Sequence, residues 1–271
     1  AEVLKALGRL DEALSAYEQI ITQFPQNEVA RNGRAEVLKA LGRLDEALSA
    51  YEQTITQFPQ NVVARNGRAE VLKALGRLDE ALSAYEQIIT QFPQNVVAQT
   101  GRSLVLLVMG RVQEALDNLP YIEPQQDWIN YHVRGMLLLA AGRGDEAIIL
   151  FQRGVTECPF VKQQSYFRSA LAMARLRQRQ FAKAIETLEV ETTPETRFTT
   201  NVLLVHAHGE LNEWQKAQAA YDDLMNLKAF RPSGFSDLTD ELHHRYLNGA
   251  TSQHDDAWVF QREFDLVAAT L

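Results

Sequence analysis

The chain has a single cysteine among its 271 residues, Cys158. One thiol excludes an intrachain disulfide and suits a reducing compartment such as the cytoplasm, with the periplasm also compatible. A basic excess is missing too. The 27 basic residues face 35 acidic ones, the net charge is −8, and no segment is basic. Binding to a nucleic-acid backbone therefore has no electrostatic footprint. No apolar run approaches the roughly 18 residues that suggest a membrane span. There is no phosphate loop, no Rossmann fingerprint and no G-x-S-x-G elbow, so nucleotide and hydrolase chemistry lack their signatures.

The residues that often carry chemistry are also poorly placed for it. His206 and His208 stand two apart, which sends them to different faces of a helix, whereas helical metal pairs stand three or four apart. His254-Asp255-Asp256 has the H-x-D spacing of non-haem iron sites, but no histidine follows it, so Asp255 reads as a helix cap. Cys158 has no neighbouring base or positive setting. Arg168, Arg175, Arg177, Arg179 and Lys183 cluster, and ion pairs with Glu186 and Glu189 explain them better than a small-anion site. No cofactor, metal or catalytic group is expected, and the chain reads as a non-enzyme.

What the sequence does contain is repetition. Val62–Asn95 and Glu28–Asn61 differ at two positions only, Glu28 for Val62 and Thr54 for Ile88, and Ala1–Asn27 repeats the end of the same unit. The period is 34 residues, a length that signals stacked helical repeats. Within one unit, Asn61 is placed to cap a helix. Gly76 ends that helix by taking the left-handed conformation. Asp79 and Glu80 open a second helix where negative charge suits the dipole. Leu78, Ala81, Leu82, Tyr85 and Ile88 give the second helix an apolar face, and Pro93 stops it. A helix-turn-helix hairpin of this kind cannot bury both faces alone, so neighbours must stack on it.

The unit resembles a tetratricopeptide repeat. Ala69, Gly76, Ala81, Tyr85 and Pro93 stand at the family's small, turn, small, aromatic and proline positions, while Arg31 and Arg65 replace its usual first aromatic. The resemblance continues with more divergence. From Val96, Gly110 and Ala115 fit, and Pro120 should truncate the second helix. From Trp128 the fit is full, through Tyr131, Gly135, Leu138, Gly142, Ala147, Phe151 and Pro159. From Ser165, Ala172, Ala184 and Leu188 fit, with Arg179 at the turn glycine. From Phe198, Val205, Ala217 and Tyr221 fit, with Asn212 near the turn. The resemblance implies an all-α, right-handed α-solenoid. The expected organisation is near-identical repeats over 1–95, divergent repeats over 96–228 with a break near 120–127, and a C-terminal cap or further segment over 229–271. A turn is expected at 230–234, then helices over Ser236–Leu247, closed by Asn248-Gly249, and Asp255–Leu271. Ala1 corresponds to Ala35 and Ala69 in mid-helix, so the chain is expected to be a fragment or to have further repeats before it.

In that family the first helices line an inner groove, and the resemblance maps groove positions onto this chain. The near-identical repeats present Asn32, Glu36, Lys39, Asn66, Glu70 and Lys73, with Glu and Lys three apart able to pair along one helix. Gly33 and Gly67 would either widen the groove or reflect drift inside a recently duplicated block. The divergent repeats present Thr100, Leu104, Leu107, Val108, His132, Met136, Leu139, Met173 and Arg177. Their apolar, Met-containing character suits either an adaptable binding surface or buried core. Glu36 and Glu70 would repel the C-terminal carboxylate that some family members clamp. The expected function is a non-catalytic scaffold holding a peptide or partner helix in the concave groove, mainly through the divergent repeats. Two alternatives stay open: the targeting arm of a larger enzyme, and self-association through exposed repeat ends.

Overall fold

Asparagine starts and glycine ends the helices of the repeats, and both act through local geometry. In the computed structural model, which describes residues 1–120, 127–190, 193–227, 235–248 and 254–268, the side chains of Asn27, Asn61 and Asn95 accept the backbone N–H of Ala30, Ala64 and Ala98 at 2.9, 2.8 and 2.8 Å. Each satisfies a donor that the first helical turn leaves unpaired. Gly42, Gly76, Gly110 and Gly142 take φ of +74°, +73°, +75° and +76° to close the first helix of their hairpins. Arg179 and Asn212 fill the same role with φ of 57° and 60°, a conformation that a side chain makes costly.

The described residues form sixteen helices and no strand. They divide into two units, Ala1–Pro120 and Tyr121–Leu271. The first contains α1 (Glu2–Ala6), α2 (Leu10–Gln23), α3 (Glu28–Ala40), α4 (Leu44–Gln57), α5 (Val62–Ala74), α6 (Leu78–Gln91), α7 (Val96–Val108) and α8 (Val112–Asn118). Consecutive helices pack as pairs, and α3, α5 and α7 also touch in sequence, as stacked hairpins require. The early end of α8 before Pro120 follows the missing N–H of proline. The rest of the expected break, 121–126, lies outside the described residues.

Small residues and one aromatic set the spacing within this unit. Ala35, Ala47, Ala69 and Ala81 have no exposed surface, and Tyr51 and Tyr85 are buried beside them. Gly33, Gly67 and Gly101 lie under the rings of Tyr17, Tyr51 and Tyr85, where an added Cβ would come within 2.4, 2.3 and 2.4 Å of the ring Cζ. The expectation that Gly33 and Gly67 widen a groove is therefore corrected. Their missing side chains admit the tyrosine of the preceding hairpin. Arg31 and Arg65, in place of the family's aromatic, donate from Nε to the carbonyls of Pro25 and Pro59 at 3.0 and 2.9 Å, and Gln99 does the same to Pro93 at 2.7 Å. The substitution thus ties each first helix to the turn that precedes it.

The second unit contains α9 (Trp128–Ala140), α10 (Gly144–Glu157), α11 (Val161–Arg177), α12 (Phe181–Leu188), α13 (Pro194–Glu210), α14 (Trp214–Asn226), α15 (Ser236–Tyr246) and α16 (Asp256–Ala268). Helices α9 to α14 form three hairpins. Helix α11 starts ahead of the expected Ser165, and Ser165 and Ser169 turn their hydroxyls back onto carbonyls of their own helix. Helix α15 packs on α13 and α14, and its Tyr246 covers Gly209 as the repeat tyrosines cover theirs. Phe235 precedes the first turn of α15, which begins at Ser236 as expected. Asp255 does cap the last helix, accepting the Trp258 N–H at 2.8 Å. The expected turn at 230–234, Gly249 and the end of the last helix at 269–271 lie outside the described residues.

Candidate functional site: the faces of the first helices

Charged residues on the first helices of the N-terminal unit pair between helices. Lys5 Nζ on α1 meets Glu36 on α3 at 2.6 Å, and Lys39 on α3 meets Glu70 on α5, each pair spanning 31 residues. The expected pairing of Glu36 with Lys39, and of Glu70 with Lys73, along one helix is replaced by this ladder, because stacking brings each lysine beside the next hairpin's acid. The side chains keep 29 to 40% exposure, so each rung contributes little stability by itself. Asn32 and Asn66 are buried and reach the following cap residues, with Nδ2 donating to Asn61 Oδ1 at 3.2 Å and to Asn95 Oδ1 at 3.4 Å. Asn61 also donates to Glu28 at 2.6 Å.

The ladder changes chemistry at α7. Thr100, Leu104 and Leu107 are buried there, while Val108, one turn beyond Leu104, is exposed. Lys73 on α5 is half-buried, and no carboxylate lies within ion-pair distance of it among the described residues. Burial pushes its pKa down, against the pull of Glu70.

In the second unit the mapped residues sit deeper. Met136 and Met173 have no exposed surface, and Leu139 is buried. His132 lies between the rings of Phe151 and Phe167, at 5.5 and 4.9 Å, and burial lowers its pKa to about 4, leaving the imidazole neutral. Arg177 is half-buried, donates to the Leu139 carbonyl at 3.3 Å, and lies over the Phe264 ring at 5.6 Å. Phe264 belongs to α16, which packs against the first helices α11 and α13. The last helix therefore occupies the face that the hairpins would otherwise present. Its Glu263 is fully buried and meets His206 Nδ1 of α13 at 2.6 Å. Phe260 and Tyr246 flank the same imidazole at 5.3 and 5.9 Å. Burial alone pulls the His206 pKa down, but the charge and hydrogen bond of Glu263 outweigh it and hold it above its ordinary value.

Glu263 was not legible as a site residue. The stripe of Phe260, Phe264 and Val267 marks an apolar face, and an acid within that stripe was its one available signal. His208 turns away from His206 and pairs with Glu213 at 2.7 Å, as the two-residue spacing implies. Among the described residues no three metal-ligating side chains gather. The arginine cluster also resolves differently from expectation. Arg175 bonds the Lys183 carbonyl at 2.8 Å and the Thr187 hydroxyl, and Arg179 approaches Glu210 at 3.6 Å, so neither is paired with Glu186 or Glu189.

Comparison with known proteins agrees with this architecture. A family model described as the tetratricopeptide repeat matches residues 4–69 and again 38–100. None of the curated proteins compared matches the sequence. Among solved structures, a tetratricopeptide repeat protein from Parabacteroides merdae aligns with a TM-score of 0.69 at 18% identity, over 91% of this chain and 96% of its own. A tetratricopeptide protein of Thermus thermophilus aligns at 0.54 and 24% identity, over 62% and 93%. PilF of Pseudomonas aeruginosa aligns at 0.54 and 15% identity, over 81% and 93%. At these identities the likeness is one of fold. No described helix is long and apolar enough to cross a membrane.

Proposed function

We propose that this chain, a tetratricopeptide-repeat protein, is a protein-interaction scaffold whose receiving surface is the first-helix face of its N-terminal unit. The observation that carries the reading is the placement of α16. It lies on α11 and α13 of the C-terminal unit, where Met173 and Leu176 are fully buried. The first helices α3, α5 and α7 carry no such helix within their own unit. Their half-buried polar residues Glu36, Lys39, Glu70 and Lys73, with exposed Val108, offer hydrogen bonds and apolar contact to an extended or helical segment. A scaffold of this kind requires no catalytic group, and its single-site affinity falls near micromolar, about −8 kcal/mol.

The test is site-specific photo-crosslinking. A benzoylphenylalanine at Val108 should capture members of a synthetic peptide array, and the same group at exposed Gln87 on α6 should not. Equal capture at both positions, or none at Val108, would remove the assignment.

A further inference from the structure

Lys5 pairs with Glu36 and Lys39 with Glu70, each across 31 residues. The next rung should join Lys73 to residue 104, which is a leucine. Glu70, three residues before Lys73 on the same helix, is already engaged by Lys39. Lys73 is thus a half-buried ammonium at the one rung of this unit whose acid is missing. Withdrawing a charge from water without a counter-charge is unfavourable, and removing one partner of such a pair leaves the other exposed to that cost. In place of the acid stands Leu104, followed one turn later by exposed Val108.

We propose that Lys73 is the specificity residue of this surface and receives a glutamate side chain of a bound protein segment, with a neighbouring apolar residue of that segment resting on Val108. The inference rests on the scaffold reading above. The carboxylate comes from a side chain, because Glu36 and Glu70 fill the equivalent place at the two preceding rungs. The incoming glutamate completes the ladder in trans. The contact is charge-assisted, and such contacts are the stronger class of hydrogen bond.

The probe is an array of short peptides, each carrying one glutamate beside leucine or valine. A matched set has glutamine in its place, and both sets are made with free and amidated C-termini. The full-length protein should bind glutamate peptides about tenfold more tightly than their glutamine counterparts. Amidation should change nothing. Lys73→Met should erase the preference. Leu104→Glu should erase it as well, by supplying the missing rung from within, while leaving the thermal midpoint at or above that of the parent. Equal binding of glutamate and glutamine peptides overturns the proposal, as does a preference that survives both substitutions. A preference for free C-termini assigns the carboxylate to the chain end and overturns the proposal. Peptides that crosslink at Val108 yet ignore Lys73 would leave the scaffold reading standing and remove this inference alone. If no peptide binds, both fall.

Discussion

Glu263 on α16 and His206 on α13 meet at 2.6 Å with both side chains buried. The acid comes from the last helix and the base from the third hairpin of the C-terminal unit, so one contact fastens that helix to the first-helix face. Glu263 Oε2 has no hydrogen-bond partner among the described residues, which makes the shared Oε1 contact the one that matters.

Glu263→Gln should loosen α16 selectively. Removing one partner of a buried pair costs about 3–5 kcal/mol, and His206→Ala should do the same from the other side. Hydrogen exchange across 256–268 should speed up in both variants while α3 and α5 stay protected. The pair also sets a pH direction. The folded His206 pKa is raised, so its contribution is complete below the ordinary histidine pKa and is lost as pH climbs through the raised value. Exchange in α16 should accordingly quicken on the alkaline side, beyond the intrinsic rise, and this excess should vanish in His206→Ala.

His132 should produce the opposite slope. Burial lowers its pKa from 6.5 to about 4. Its neutral form is fully accommodated above pH 6.5, and stability is lost as pH falls from there toward 4. The loss approaches roughly 3 kcal/mol at the acid end. Urea unfolding at several pH values should show it, and His132→Phe should flatten the slope if the ring packs between Phe151 and Phe167.

Gly67→Ala should destabilise the N-terminal unit even though alanine is the better helix former. The new Cβ falls 2.3 Å from Tyr51 Cζ, and forcing a ring out of a packed site costs about 1–3 kcal/mol. Gly76→Ala has open space around it but keeps φ at +73°, so its cost is conformational, about 1 kcal/mol. Tyr51→Leu added to Gly67→Ala should recover part of the first loss, and the same change added to Gly76→Ala should recover none of the second. Thermal unfolding of the four variants separates the two causes.

Asn61 joins more groups than Asn27. It caps α5, accepts from Asn32 and donates to Glu28, whereas Asn27 caps α3. Asn61→Ala should therefore cost about 2 kcal/mol and Asn27→Ala about 1 kcal/mol. Equal losses in chemical denaturation would show that the bridge between hairpins adds nothing to the cap.

The features readable in the sequence are those fixed within a few residues. Asn61 caps, Gly76 turns and Pro120 shortens because each acts on its own backbone. The repeat then carries these signals forward, and fold class follows from stacking. What the sequence did not disclose depends on how hairpins lie against one another. Lys39 finds Glu70 and not Glu36 because of stacking register. Gly67 faces Tyr51, sixteen residues away in a different hairpin, so its meaning is invisible along the helix. Met136 and Met173 share the residue type of adaptable surfaces, yet the structure surrounds both with core. The position of α16 depends on contacts from Phe264 and Glu263 to helices far earlier in the chain, and no local pattern encodes them.

The near-identical hairpins meet through interchangeable joints, since Asn32 reaches Asn61 just as Asn66 reaches Asn95. An in-frame recombination that adds or drops one block therefore preserves the asparagine joint, while the bond from Asn61 to Glu28 is kept only where glutamate opens the block. The rung between Lys73 and Leu104 falls where the last near-identical block meets the first divergent one, so such events leave it single and in the same place relative to everything downstream.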